Sequence, residues 1–164
     1  MPFLRSFLAL LLGIGAAQAQ APRVDHLEIT DFGTYKVERG STIRNAQGLK
    51  TAPVRKAPER LESRTIIPAQ IGTTFGVRYK VIGTPEDADV TIRMIISFPP
   101  PGLQPSPGKF VSRDESVETT RIGDTVGALY TLDDSFELVP GIWTFELWDG
   151  DRKLLTQSFT LEKR

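Results

Sequence analysis

The chain has 164 residues, 20 Lys plus Arg, 20 Asp plus Glu, one His and no Cys, so its formal charge is zero. Without cysteine there is no disulfide framework, thiol nucleophile, Cys-ligated metal site or lipoprotein-type cysteine. The single histidine, His26, excludes a His cluster for metal, and balanced charge argues against general nucleic-acid binding.

Residues 1–19 read as a cleavable signal peptide. Arg5 supplies the positive start, Phe7 to Ile14 is apolar, and Ala17-Gln18-Ala19 is a small-x-small cleavage site before Gln20. The apolar run falls short of the ~20 residues that a membrane span needs. Losing Arg5 with this segment leaves 19 basic against 20 acidic residues. Export to the periplasm or the medium is the expectation, with no transmembrane anchor.

Residues 20–39 hold the N-terminal strand. Val24 to Val37 alternates well enough for one long strand or two short ones, with a bulge expected at Gly33. Residues 40–64 are polar and Pro-punctuated, and carry Arg44, Lys50, Arg55, Lys56, Arg60 and Arg64 against Glu59 and Glu62, a net of +4. So few apolar residues predict a long mobile basic loop, with a short helix over 58–63 as the alternative.

Residues 65–164 form the expected core. Phe75, Val77, Tyr79 and Val81 alternate with Gly76, Arg78 and Lys80. Val90, Ile92, Met94, Ile96 and Phe98 share one face with Thr91, Arg93 and Ser97 on the other, and the turn between the two runs predicts a hairpin. Two Pro-Gly clusters, 99–102 and 105–108, stop the sheet. The polar stretch 110–122 reads as an edge strand near Val117, and 126–132 as a further strand. Pro140-Gly141 makes a corner before Ile142 to Trp148, which pairs with Leu154 to Leu161. Placing Trp143, Phe145 and Leu147 against Leu155, Phe159 and Leu161 calls for a five-residue loop at 149–153, pairing Trp148 with Leu154. Seven or so short strands of this kind predict an all-β, immunoglobulin-like antiparallel β-sandwich.

The pieces I-P-A-x-I-G-T-x-F-G-V-R-Y at 67–79, S-F-P-P at 97–100, Y-T-L-D at 130–133 and F-E-L-V-P-G-I-W-T-F-E-L-W-D-G-D-R-K-L-L-T-Q-S-F-T-L at 136–161 carry a resemblance. On them the chain resembles the bacterial family known as domain of unknown function 3859. The resemblance implies an exported β domain and carries over no catalytic or binding residue.

No nucleophile–base set, metal-ligand cluster or phosphate loop is legible, so neither catalytic nor metal residues are assigned and no cofactor is expected. The acidic pairs Asp87/Asp89, Asp133/Asp134 and Asp149/Asp151 sit at turns, where Asp serves the backbone. The surface candidates for ligand binding are Trp148 and Leu154, on the face opposite Trp143, Phe145 and Leu147. Residues 114–162 carry eleven acidic and three basic residues, so the basic loop meets either an acidic envelope partner, an anionic lipid surface or its own acidic half. The expected function is an exported, non-catalytic binding or accessory module, monomeric or weakly associating. The alternatives are a small hydrolase or peptidase built from loop Asp, Ser or Lys, and an envelope-structural or adhesin-like module.

Overall fold

A computed structural model describes residues 21–163. The signal-peptide reading and its cleavage point lie outside them. In chain order the elements are β1 (Arg23–Lys36), β2 (Ile43–Arg44), β3 (Lys50–Thr51), β4 (Glu59–Glu62), β5 (Ile66–Pro68), β6 (Thr74–Thr84), β7 (Asp89–Ser97), β8 (Leu103–Ser106), β9 (Lys109–Val111), β10 (Arg113–Arg121), β11 (Thr125–Thr131), a 3-10 turn (Ser135–Glu137), β12 (Gly141–Asp149) and β13 (Arg152–Glu162).

Two sheets pack face to face. One has the order β11-β6-β1-β4 and the other β10-β7-β12-β13-β5. All pairings are antiparallel except β13 with β5, where the chain leaves β4 in one sheet and joins the edge of the other. The short pairs β2-β3 and β8-β9 stand apart.

Period-two alternation decides which side chains face inward. Phe75, Val77, Tyr79 and Val81 face Ile92, Ile96, Trp143, Phe145, Leu147, Phe159 and Leu161 across the sandwich, all nearly or fully buried. Phe75 is the hub, with ring centroids 5.4–5.7 Å from Phe159, Phe145 and Trp143 at near-perpendicular angles. Such edge-to-face pairs contribute beyond their buried area.

Four sequence expectations change. β6 and β7 are not a hairpin: they lie in different sheets and meet face to face, because alternation marks the buried face and not the strand partner. Gly33 is no bulge in the β1-β6 ladder, where it pairs with Gly76 and the shifts fall at Val24/His26 and Ile29/Asp31. A Cβ at Gly33 would meet the Glu62 carbonyl oxygen at 1.9 Å, so it serves the close approach of β4. The closing hairpin keeps Leu147 opposite Leu155 and Trp143 opposite Phe159, but without a five-residue loop. Its turn is Gly150-Asp151, with Asp149 opposite Arg152, Trp148 opposite Lys153 and Leu154 extruded as a bulge. Lastly, residues 40–64 contain β2, β3 and β4, with neither a helix at 58–63 nor a structureless run. Leu49, a lone apolar residue in that polar stretch, is fully buried.

Candidate functional site

The edge strand expected near Val117 is β10, which pairs with β7 alone. Directly opposed residues share a face. Asp114, Ser116 and Glu118 oppose Ile96, Met94 and Ile92, so this row is polar where the inward rows of β6, β7, β12 and β13 are apolar. The facing edge is β11, whose inward row is Val126, Ala128 and Tyr130, opposite Tyr79, Val77 and Phe75. Between the two edges the sandwich is open along one side. The opening holds a cavity of about 200 Å³ at the Asp114–Tyr130 end. It continues as a groove of about 470 Å³ between Ser116–Glu118 and Val126–Leu129.

A flap covers it. Residues 38–55 cross the opening, held by the Arg39–Val54 bridge, by Gly40 N–H to the Pro53 carbonyl and by Arg55 N–H to the Glu38 carbonyl. The flap tip is the β2-β3 pair, turned by Asn45, whose side-chain oxygen accepts the N–H groups of Gln47 and Leu49. Leu49 then enters the core.

Glu137 organises the anchorage. The segment Asp134-Ser135-Phe136-Glu137 makes one 3-10 turn, and Glu137 is fully buried. Its carboxylate accepts hydrogen bonds from Tyr130 Oη at 2.9 Å, Asp133 N–H at 2.5 Å and Asp134 N–H at 2.9 Å. Burial pushes the Glu137 carboxyl above its ordinary range, against these donors. So fixed, Asp133 receives both guanidinium nitrogens of Arg39 at 2.7 Å. Asp134 receives Lys50 at 3.0 Å and Arg44 at 3.1 Å. Partial burial would raise the Asp134 carboxyl, but Lys50 and Arg44 bring it below the usual carboxylate range. Two of the six basic residues of 40–64, Arg44 and Lys50, together with Arg39 just before them, therefore lie against the acidic half of their own chain.

The groove differs. Asp114 accepts only the Asn45 amide among side chains, at 3.0 Å, and no cation pairs with it among the described residues. Glu118 has neither an ion pair nor a side-chain hydrogen bond there. Partial loss of water raises both carboxyls from their ordinary values, with Asp114 half-buried and Glu118 still exposed at the rim.

Trp148 and Leu154 do not form the shared face expected of them. The bulge sets Trp148 opposite Lys153 and turns Leu154 partly into the core. Trp148 is half-buried, with Arg93 and Lys153 5.5 and 5.4 Å from its ring centroid. That contact covers it on the outer face of the sheet. His26 is exposed on β1. Asp149 pairs with Arg152, and Asp87 adopts a positive φ of 62° in its turn. Sequence reasoning missed Asp114, Glu118, Arg39 and Glu137. Only the D-x-x-E spacing of Asp134 and Glu137, a helix-start signal, could have shown one of them.

The model of the family described as Domain of unknown function (DUF3859) matches residues 24–161. The chain belongs to this family. The matched span of the DUF3859 domain takes in the flap, the open groove and both sheets. No curated protein matches the sequence. Among solved structures, an immunoglobulin-like protein from Pseudomonas aeruginosa is similar, with 24% identity and a TM-score of 0.59. The match covers 90% of this chain and 100% of that one. The DUF3859 domain is thus an all-β, immunoglobulin-like sandwich. Among the described residues no helix is long and apolar enough to cross a membrane.

Proposed function

We propose that the protein is an exported, non-catalytic binding module, and that the groove between β10 and β11 receives its ligand. The observation that carries this is the polar row of β10 along the opening. Asp114, half-buried, and Glu118, exposed at the rim of the groove, have no ion pair among the described residues, the nearby Arg39 and Lys50 being held by Asp133 and Asp134. A half-buried carboxylate without a cation is costly, and a site for something absent is one reason to keep it.

A hydrolase would also use carboxyls of raised proton affinity, as Asp114 and Glu118 have. Four residues apart on one strand, they are separated by about 13 Å along the backbone. That exceeds the ~5–9.5 Å at which paired carboxyls share a reaction centre. The envelope-structural reading rests on a different place, the outer edge at β4. There Leu61 and Ile71 are exposed beside a groove of about 380 Å³.

Amide and methyl NMR of the chain from Gln20, titrated with peptides, glycans and lipid headgroups, tests the reading. Shifts confined to Ser116, Val126 and Leu129, abolished by Val126→Trp, are expected. Binding only at Leu61 and Ile71, or turnover of any titrant, overturns it.

A further inference from the structure

The free edge of β10 and the contents of the groove together restrict the ligand. Resting on the groove reading, we infer that the ligand is an extended polypeptide segment bearing Lys or Arg, which adds to β10 as a new strand with its cation against Glu118.

β10 is a nine-residue strand paired on one side only. Its second edge offers backbone N–H and C=O groups in a row, the template that strand addition uses. Glu118 is the single charged residue lining the open groove: Thr51 to Val54 and Pro58 above it and Val126, Gly127 and Leu129 across from it carry none. Two residues on, and on the same inward row, Thr120 is buried and its hydroxyl has no hydrogen-bond partner. On the outward row Val117 is 64% exposed. An incoming strand with basic side chains inward and β-branched ones outward satisfies all three, since its alternate side chains repeat at the same ~7 Å as those of β10.

Inward charges on an edge strand commonly prevent pairing. Here the same charge selects. Glu118 is exposed in the free chain; an apolar strand would cover it without compensation, and an acidic one would add a like charge. A second copy of this chain pairing through β10 would set its own Asp114, Glu115 and Glu118 against the same residues.

The test uses the chain from Gln20 with three peptides of about ten residues. One alternates Lys with Val, one replaces Lys by Gln, and one keeps Lys but N-methylates alternate amides. Calorimetry reads affinity, and hydrogen exchange reads which amides gain protection. The Lys peptide should protect β10 and bind about tenfold more tightly than the Gln peptide. The N-methylated peptide should fail. Glu118→Gln should lose the preference for Lys, while Asp151→Asn, at the exposed far turn, should keep it.

Equal binding of Lys and Gln peptides, undiminished binding of the N-methylated one, or no peptide binding at all overturns the inference. So does peptide-free dimerisation with β10 protected. If peptides are silent while another titrant shifts Ser116, Val126 and Leu129, the groove reading stands and the strand-addition inference falls.

Discussion

Glu137 shows what one buried side chain can govern. It satisfies a phenol and two backbone N–H groups and aims two aspartates at three cations of the flap. Glu137→Ala strands those donors in a dry site. The expected loss is about 3 kcal/mol, since each unsatisfied buried group costs ~1–3 kcal/mol. Urea melts check it, and a change below about 1 kcal/mol would contradict the assignment. Glu118 should behave in the opposite sense. Its carboxyl is raised from an ordinary 4.5 by desolvation, so the folded state holds the proton more tightly than the unfolded chain does. The stability linked to that proton is complete below the unfolded value and is lost as pH rises through the folded one. Glu118→Gln should therefore raise Tm at pH 7, with the gain vanishing near pH 4. A gain that persists or grows on acidification would show that another group governs the effect.

At the level of elements, the flap is the part most changed from the sequence reading. Its polarity hid one buried leucine and a set of long-range pairs. Arg39 meets Asp133 across 94 positions and Lys50 meets Asp134 across 84, separations at which local pattern carries no information. Conversely, every main inward row except that of β10 was visible as alternation. What alternation left open was partnership, so β6 and β7 looked like a hairpin when they are opposing faces. The β10 row escaped because Asp114, Ser116 and Glu118 have the composition of a solvent face; only the register with Ile96, Met94 and Ile92 turns them inward. Leu49→Ala tests the flap directly. Emptying the site costs ~2–5 kcal/mol, enough to free the tip. Trypsin should then cut at Arg44 and Lys50 much sooner than in the wild type. Unchanged cleavage order would mean the ion pairs alone hold the flap.

For the whole molecule, six buried or nearly buried rings (Phe75, Phe98, Tyr130, Trp143, Phe145 and Phe159) join the two sheets. Phe159→Ala should cost ~3–5 kcal/mol, read by denaturant melts, and a neutral result would place the core elsewhere. The charge asymmetry of the chain also acts at this scale. Of the six basic residues of 40–64, Arg44 and Lys50 meet Asp134, Lys56 meets Glu38 and Arg64 meets Glu62, so much of the positive charge that the segment shows in the sequence is paired within the chain. Export is tested by mass: protein from the exported fraction should begin at Gln20, and a chain retaining Leu8 to Leu12 would refute it.

The extruded Leu154 gives the closing hairpin one residue of slack. Strands ordinarily tolerate no change in length, since a shift of one position exchanges inside for outside. Here Trp148 already faces Lys153 and Leu147 already faces Leu155, with Leu154 standing between them on one strand only. Excising Leu154 would leave a regular two-residue hairpin with every later pair unchanged, whereas excising Thr156 would force Phe159 and Leu161 toward solvent unless the bulge collapsed to absorb the loss. The hairpin is thus a place where this domain's length can drift by one while its interior stays in register.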